Sequence, residues 1–123
     1  RRRGLLRYAN AGHPHAWLVP GDGAAPRRLG ATAPPLGLAG ERRVLGAQCP
    51  WSARADALCL FTDGMAESVG HSGERYTEER ILSVVRRHMG DSAPEIVDAV
   101  FQDLFAFAGD QAADDRTLLV VRR

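Results

Sequence analysis

Apolar positions divide the chain in two. Before residue 62 they come in short runs broken by Gly, Pro and Asn, and after residue 77 they recur every three or four residues. "LLRYA" (5–9) and "HAWLV" (15–19) read as strands. The linker Asn10-Ala11-Gly12-His13-Pro14 is rich in turn formers and predicts a hairpin between them. "PGDG" (20–23) is a further turn, and "RRLG" begins a third strand. "ATAPPLGLAG" (31–40) is an ordered loop in which Pro34 and Pro35 exclude helix. "RRVLGAQC" (42–49) and the more deeply buried "ADALCLF" (55–61) complete what reads as a β-meander.

From Thr77 the period changes. "TEERILSVVRRHMG" places an N-cap at Thr77, Glu78 and Glu79 in the first turn, and Ile81, Leu82, Val85 and Met89 on one face. Arg86, Arg87 and His88 fall in the last turn before Gly90, so both ends suit the helix dipole. A second helix opens on the capping box Ser92…Glu95 with Pro94 in its first turn. Ile96, Val97, Val100, Leu104 and Phe105 form its apolar face. "TLLVVRR" (117–123) closes the chain as a buried strand.

Length supports one domain, residues 1–123, with a single core. The 45% apolar and 25% charged composition is that of an ordinary globular protein, and no apolar run approaches a membrane span. A net charge of +1 gives no global field for nucleic acid or an anionic membrane. Every basic residue is Arg, which excludes any mechanism requiring a catalytic lysine. Cys49 and Cys59 lack metal-ligand spacing and read as reduced thiols with at least one in the core. That favours a cytoplasmic setting. The opening Arg1-Arg2-Arg3, without Met, fits a trimmed piece of a longer chain.

Two acidic sites lie at the ends of the apolar runs. Asp63 follows the strand that ends near residue 62, and Asp114 and Asp115 precede the strand beginning at 117. If those strands pair antiparallel, the acids stand about 5 Å apart across the ladder. Converging carboxylates repel unless a cation intervenes, and a hard divalent ion takes oxygen ligands. Gly64, without Cβ, leaves room for an ion and its waters. Strand-ending Asp-Gly and Asp-Asp pairs also serve as plain turns, so the pattern alone leaves both readings open.

"YANAGHP" (8–14), "PPLGL" (34–38), "ADALCLFTDGMAES" (55–68) and "DDRTLLVV" (114–121) together resemble, in order, the motifs of the bacterial SpoIIE-type serine/threonine phosphatases. These form the prokaryotic branch of the metal-dependent PPM (protein phosphatase 2C-like) family. The likeness runs from about Leu5 to Arg122. It implies an α+β fold, an antiparallel β-sandwich flanked by helices, of which this chain is the later part. It also implies that Asp63 and Asp114 are metal ligands for manganese or magnesium, two ions in a complete site, with Asp115 supporting. Ala55, Ser68 and the Arg75-Tyr76 pair depart from the family pattern. Motifs that supply the bridging Asp lie upstream in the family, so this stretch taken alone is expected to bind metal weakly and turn over little.

The implied activity is hydrolysis of phosphoserine or phosphothreonine by a metal-activated water, on a phosphoprotein of the anti-sigma factor antagonist type. Sensory domains upstream fit the same resemblance. The alternative is a catalytically inactive, phosphatase-like regulatory or protein-binding module. A response-regulator receiver fits poorly, given the strands-first order and the missing Lys. Among supporting residues, Asn10 stabilises the 10–14 turn by an Asx-type bond, and His13 orders it by side-chain hydrogen bonding rather than acting as acid or ligand. His15, His71 and His88 read as surface residues, Trp17 and Trp51 as packing residues, and Glu67 as solvated or ordering the following loop. Arg27, Arg28, Arg42 and Arg43 read as solvated strand edges.

Overall fold

Strand pairing follows burial rather than chain order. The computed structural model describes residues 4–38, 43–109 and 114–123. Its elements are β1 (Gly4–Tyr8), β2 (Ala16–Val19), β3 (Arg27–Arg28), β4 (Ala47–Trp51), β5 (Ala57–Phe61), α1 (Asp63–Ala66), α2 (Glu78–Arg87), α3 (Ala93–Ala108) and β6 (Leu118–Val121). The strands form a four-stranded sheet in the order β3-β2-β5-β6 and a two-stranded sheet of β1 with β4, all antiparallel. The helices and the antiparallel sheets belong to the expected mixed class.

The predicted hairpin between the first two strands is not made, and the meander is broken accordingly. Tyr8 pairs with Ala47 and Gly4 with Trp51, while Trp17 pairs with Cys59 on one side and Arg28 on the other. The reason lies in Asn10. Its Nδ2 donates to the carbonyls of His13 (2.8 Å) and Leu29 (2.9 Å), and its backbone N–H donates to Thr32 Oγ1 (2.9 Å). These bonds tie the linker to residues 29–32 and turn the chain from one sheet to the other. Covered on both faces, β2 runs through the interior, while β1 lies outside.

Alternation along β5 serves two cores. Ala57, Cys59 and Phe61 face Ile81, Val85, Ile96, Val100 and Leu104 of the helices. Leu58 and Leu60 face the other way, onto the cluster of Leu18, Leu29 and Cys49 beneath β1 and β4. Both cysteines are free and buried, as expected. The strand expected over 42–49 begins only at Ala47 and continues to Trp51. It accommodates Pro50 because, among the described residues, β4 has one neighbour and is an edge strand, where Pro is tolerated. Arg42 lies outside the described residues, as do residues 39 and 40 of the predicted loop.

β6 is half buried rather than buried. Leu118 and Val120 pack on the helical core, but Leu119 and Val121 are 52% and 43% exposed. Their partners across the ladder, Leu60 and Leu58, are covered by the two-stranded sheet, which leaves the edge strand open. Phe105 is likewise displaced from its expected place, 45% exposed beside Phe101. The stripe facing the sheet is Ile96, Val100 and Leu104 at i, i+4, i+8, and Phe105 stands about 100° off it.

The helix ends match their sequence signals. Thr77 caps α2, accepting from the Arg80 N–H at 3.4 Å, and holds φ at +69°, a conformation costly for a β-branched residue. Glu95 accepts from the N–H (2.8 Å) and hydroxyl (2.6 Å) of Ser92. Between the helices, Asp103 accepts from Tyr76 Oη (2.7 Å) and Arg80 Nε (2.9 Å). Burial first, then the bond to Asp103, raises the Tyr76 phenol well above its ordinary range, and the Arg80 hydrogen bond holds Asp103 below its own. No helix among the described residues is long and apolar enough to cross a membrane.

Candidate metal centre

β5 and β6 pair antiparallel with Phe61 opposite Leu118, so the end of one strand lies beside the start of the other. Thr62 fastens this junction. Its N–H donates to the Thr117 carbonyl (3.1 Å), its hydroxyl donates to the Asp115 carbonyl (2.7 Å), and the Thr117 N–H donates back to that hydroxyl (3.0 Å). The chain then enters the single turn of α1, with Asp63 as its first residue.

Gly64 has a different task from the one its size suggested. A Cβ there would stand 2.4 Å from the Asp115 carbonyl oxygen and 3.0 Å from the Asp114 carbonyl group. The space is filled by backbone, and the missing side chain brings the two acidic segments together. Ser68, one of the departures from the family pattern, strengthens this packing: its hydroxyl donates to the Gly64 carbonyl (2.7 Å) and accepts from Arg116 Nε (3.0 Å).

Thr62, Asp63, Asp114 and Asp115 line one cleft of about 560 Å³ together with the 11–14 turn and Pro35. The "AGHP" and "PPLGL" loops meet there, since Gly12 (φ +93°) lies so close to Pro35 that a Cβ would fall 2.6 Å from its ring. Asn10 shapes the turn as expected, its Oδ1 accepting the His13 N–H at 2.7 Å. His13 contributes through its backbone, however. Among the described residues its exposed ring makes no hydrogen bond, and the turn is ordered instead by the Asn10 amide, which holds both the His13 N–H and its carbonyl.

The donors offered are hard carboxylate oxygens, suited to magnesium or manganese rather than to a soft metal. Among the described residues no three His, Cys, Asp or Glu side chains converge closely enough to hold an ion by themselves. The cleft thus fits part of a ligand set. Asp114 Oδ1 accepts the N–H of Asp115 (2.7 Å), which steadies that carboxylate within its bend.

His15 is not a surface residue. Its side chain is largely buried, stacked on Phe61 with ring centres 5.0 Å apart, and its Nε2 lies 3.1 Å from Asp63 Oδ1. Its Nδ1 meets Glu78 Oε2 at 2.5 Å. Glu78 also accepts from Trp17 Nε1 (3.0 Å) and from Arg28, whose guanidinium lies over the Trp17 ring. So Arg28 and Trp17, expected at a solvated edge and in packing, are tied into a polar network. Burial opposes ionisation of Glu78, but the bonds from His15 and Trp17 and the Arg28 charge together hold its carboxyl below the ordinary value. His88 is a surface residue as expected, paired with Asp91, and Glu67 pairs with Arg75 in solvent.

Sequence reasoning missed Thr62, His15 and Glu78. Thr62 was visible beside Asp63 in "FTDG", but its hydroxyl acts across the ladder on residues more than fifty positions away. Glu78 looked like an ordinary first-turn acid.

The model of the family Stage II sporulation protein E (SpoIIE) matches residues 1–123. The SiaA-PP2C domain of Pseudomonas aeruginosa superimposes with a TM-score of 0.76 at 24% identity, covering 100% of this chain and 47% of that one. The RsbU and RsbW domains of a Mycobacterium tuberculosis protein give 0.69 at 25% identity, covering 98% and 34%. The PP2C phosphatase domain of SpoIIE from Bacillus subtilis, with a fragment of its regulatory domain, gives 0.67 at 23%, covering 96% and 34%. A comparison with curated proteins finds no match. The chain spans between a third and a half of these three structures, and their likeness establishes a PP2C-type phosphatase fold. Matched by the family model from end to end and built on that fold, the chain belongs to the SpoIIE family.

Proposed function

We propose that this chain carries part of the active centre of a metal-dependent phosphoserine/phosphothreonine phosphatase. The observation that carries the reading is the meeting of Asp63 with Asp114 and Asp115 at paired strand ends in one cleft of a SpoIIE-family chain. Asp63 and Asp114 are the residues that would hold manganese or magnesium, with Asp115 in support. When bound, such ions supply an activated water and neutralise charge on a phosphoryl group. The chain's own work is positional. Thr62 and Gly64 bring the acidic segments together, and Asn10 fixes the turn that carries His13 into the cleft.

The substrate class is a phosphorylated regulatory protein of the anti-sigma factor antagonist type. The appearance of RsbU and RsbW domains in one similar structure supports a signalling context. A phosphatase-like regulatory module is the second reading, favoured by the partial ligand set among the described residues. The deciding experiment follows phosphate release from a phosphoserine peptide by the full-length protein in manganese. Activity is expected to disappear on chelation and to fall at least about a hundredfold in Asp63→Asn, by removal of a charged metal ligand. A full-length protein inactive in both magnesium and manganese would leave the regulatory reading in place.

A further inference from the structure

We propose that His15 is a positioning residue of this centre, held by Glu78 through Nδ1 and fixing the Asp63 carboxylate through Nε2. The inference rests on the metal reading above and adds a role for a residue outside the acidic motifs. Three observations support it. First, the residue is constrained: its ring is stacked on Phe61, and its backbone carbonyl accepts the Phe61 N–H (3.1 Å), which extends the β2–β5 ladder by one step. Second, the Glu78 carboxylate is an acceptor only. It receives Trp17 Nε1–H and the Arg28 guanidinium as well as His15. A carboxylate only accepts, so a ring nitrogen that faces one holds it by donating, and His15 spans the two carboxylates with an N–H on each side. Third, the opposite nitrogen lies 3.1 Å from Asp63 Oδ1.

Asp63 needs such a hold. Its side chain is 60% exposed and sits on a helix of one turn, so little else restricts its rotamer. A carboxylate fixed before an ion arrives loses less freedom on binding it. Groups that orient metal ligands in this way typically change affinity by about 10–100-fold when removed.

Two substitutions separate positioning from mere structure, because the amide of Asn reaches about as far as Nδ1 and that of Gln about as far as Nε2. The probe is Mn²⁺ alone, titrated by calorimetry into the full-length protein. His15→Asn, which keeps the Glu78 contact and loses the one to Asp63, should bind Mn²⁺ about tenfold more weakly. His15→Gln, which keeps a donor at Asp63, should stay within about threefold of the parent. Equal losses in both variants, or no loss in His15→Asn, would overturn the proposal.

Asp63→Asn is titrated alongside. If it binds Mn²⁺ as tightly as the parent, the metal reading and this inference fall together; if only His15→Asn is without effect, the inference falls alone. A measurement on the unaltered protein guards against misfolded variants. In long-range ¹H–¹⁵N spectra, Mg²⁺ should shift the His15 Nε2 resonance and leave His88 in place. A His15 signal indifferent to Mg²⁺ would equally refute the coupling.

Discussion

Substituting Gly64 by Ala tests whether close backbone approach assembles the acidic cleft. The added Cβ would lie 2.4 Å from the Asp115 carbonyl oxygen, close to 1 Å inside an ordinary carbon–oxygen contact of about 3.4 Å. That oxygen cannot retreat freely, since it accepts the Thr62 hydroxyl at 2.7 Å. Relief requires losing that bond, worth about 0.5–1.5 kcal/mol, or shifting α1, and overpacking of this kind costs about 1–3 kcal/mol. Opposing it, Ala is favoured over Gly within a helix by up to about 1 kcal/mol, less in a single turn. The expected net destabilisation is therefore about 0.5–2.5 kcal/mol. With an unfolding entropy of about 2.1 cal/mol/K per residue over 123 residues, each kcal/mol lowers the melting midpoint by roughly 4 °C. Thermal unfolding followed by circular dichroism gives the answer. A midpoint unchanged or raised would mean that helix propensity dominates and that Gly64 is not the point of contact.

Two further outcomes follow from buried or paired carboxylates. Asp56, buried at the turn before β5, accepts the Gly21 N–H on Oδ1 (3.1 Å) and the Ser52 N–H on Oδ2 (2.8 Å). Asp56→Asn sets an amide donor against one of these donors and should cost about 1–3 kcal/mol in urea unfolding; an unaltered midpoint would contradict the assigned bonds. Glu78 and Asp103 are both held below their ordinary values of 4.5 and 3.8, Asp103 chiefly by the Arg80 hydrogen bond. Since the folded value is the lower, their stabilisation is complete above those ordinary values and is lost as pH falls through the folded ones. Urea midpoints should therefore drop below about pH 4.5, and more shallowly in Glu78→Gln and Asp103→Asn than in the parent. Parallel curves would exclude both groups.

The acidic cleft was legible because its information is nearly local. Two apolar runs each meet an acid at one end, and a single antiparallel pairing brings Asp63 to Asp114. Helix limits were legible for the same reason, written in Thr77, Ser92 and Glu95. What escaped depends on distant partners. Whether β1 pairs with β2 or β4 is decided by an Asn10 amide reaching Leu29, and no period in the sequence encodes that reach. His15 looked solitary because its partners Asp63 and Glu78 lie 48 and 63 positions further on. Leu119 and Val121 read as buried because hydrophobicity reports what a strand could bury, not whether a second sheet extends over it.

Among the described residues, β5 has a neighbouring strand on each side and a hydrophobic cluster on each face, whereas β6 has one neighbour and one covered face. The two walls of the cleft therefore differ in persistence. Opening β5 requires both clusters to part, an event close to global unfolding, while β6 can fray at far smaller free energy. Asp63 stands two residues beyond the strand that is anchored on both faces, and Asp114 four residues before the strand that frays more readily. Loss of the site would begin at the edge strand, with Thr62 as the clasp that delays it.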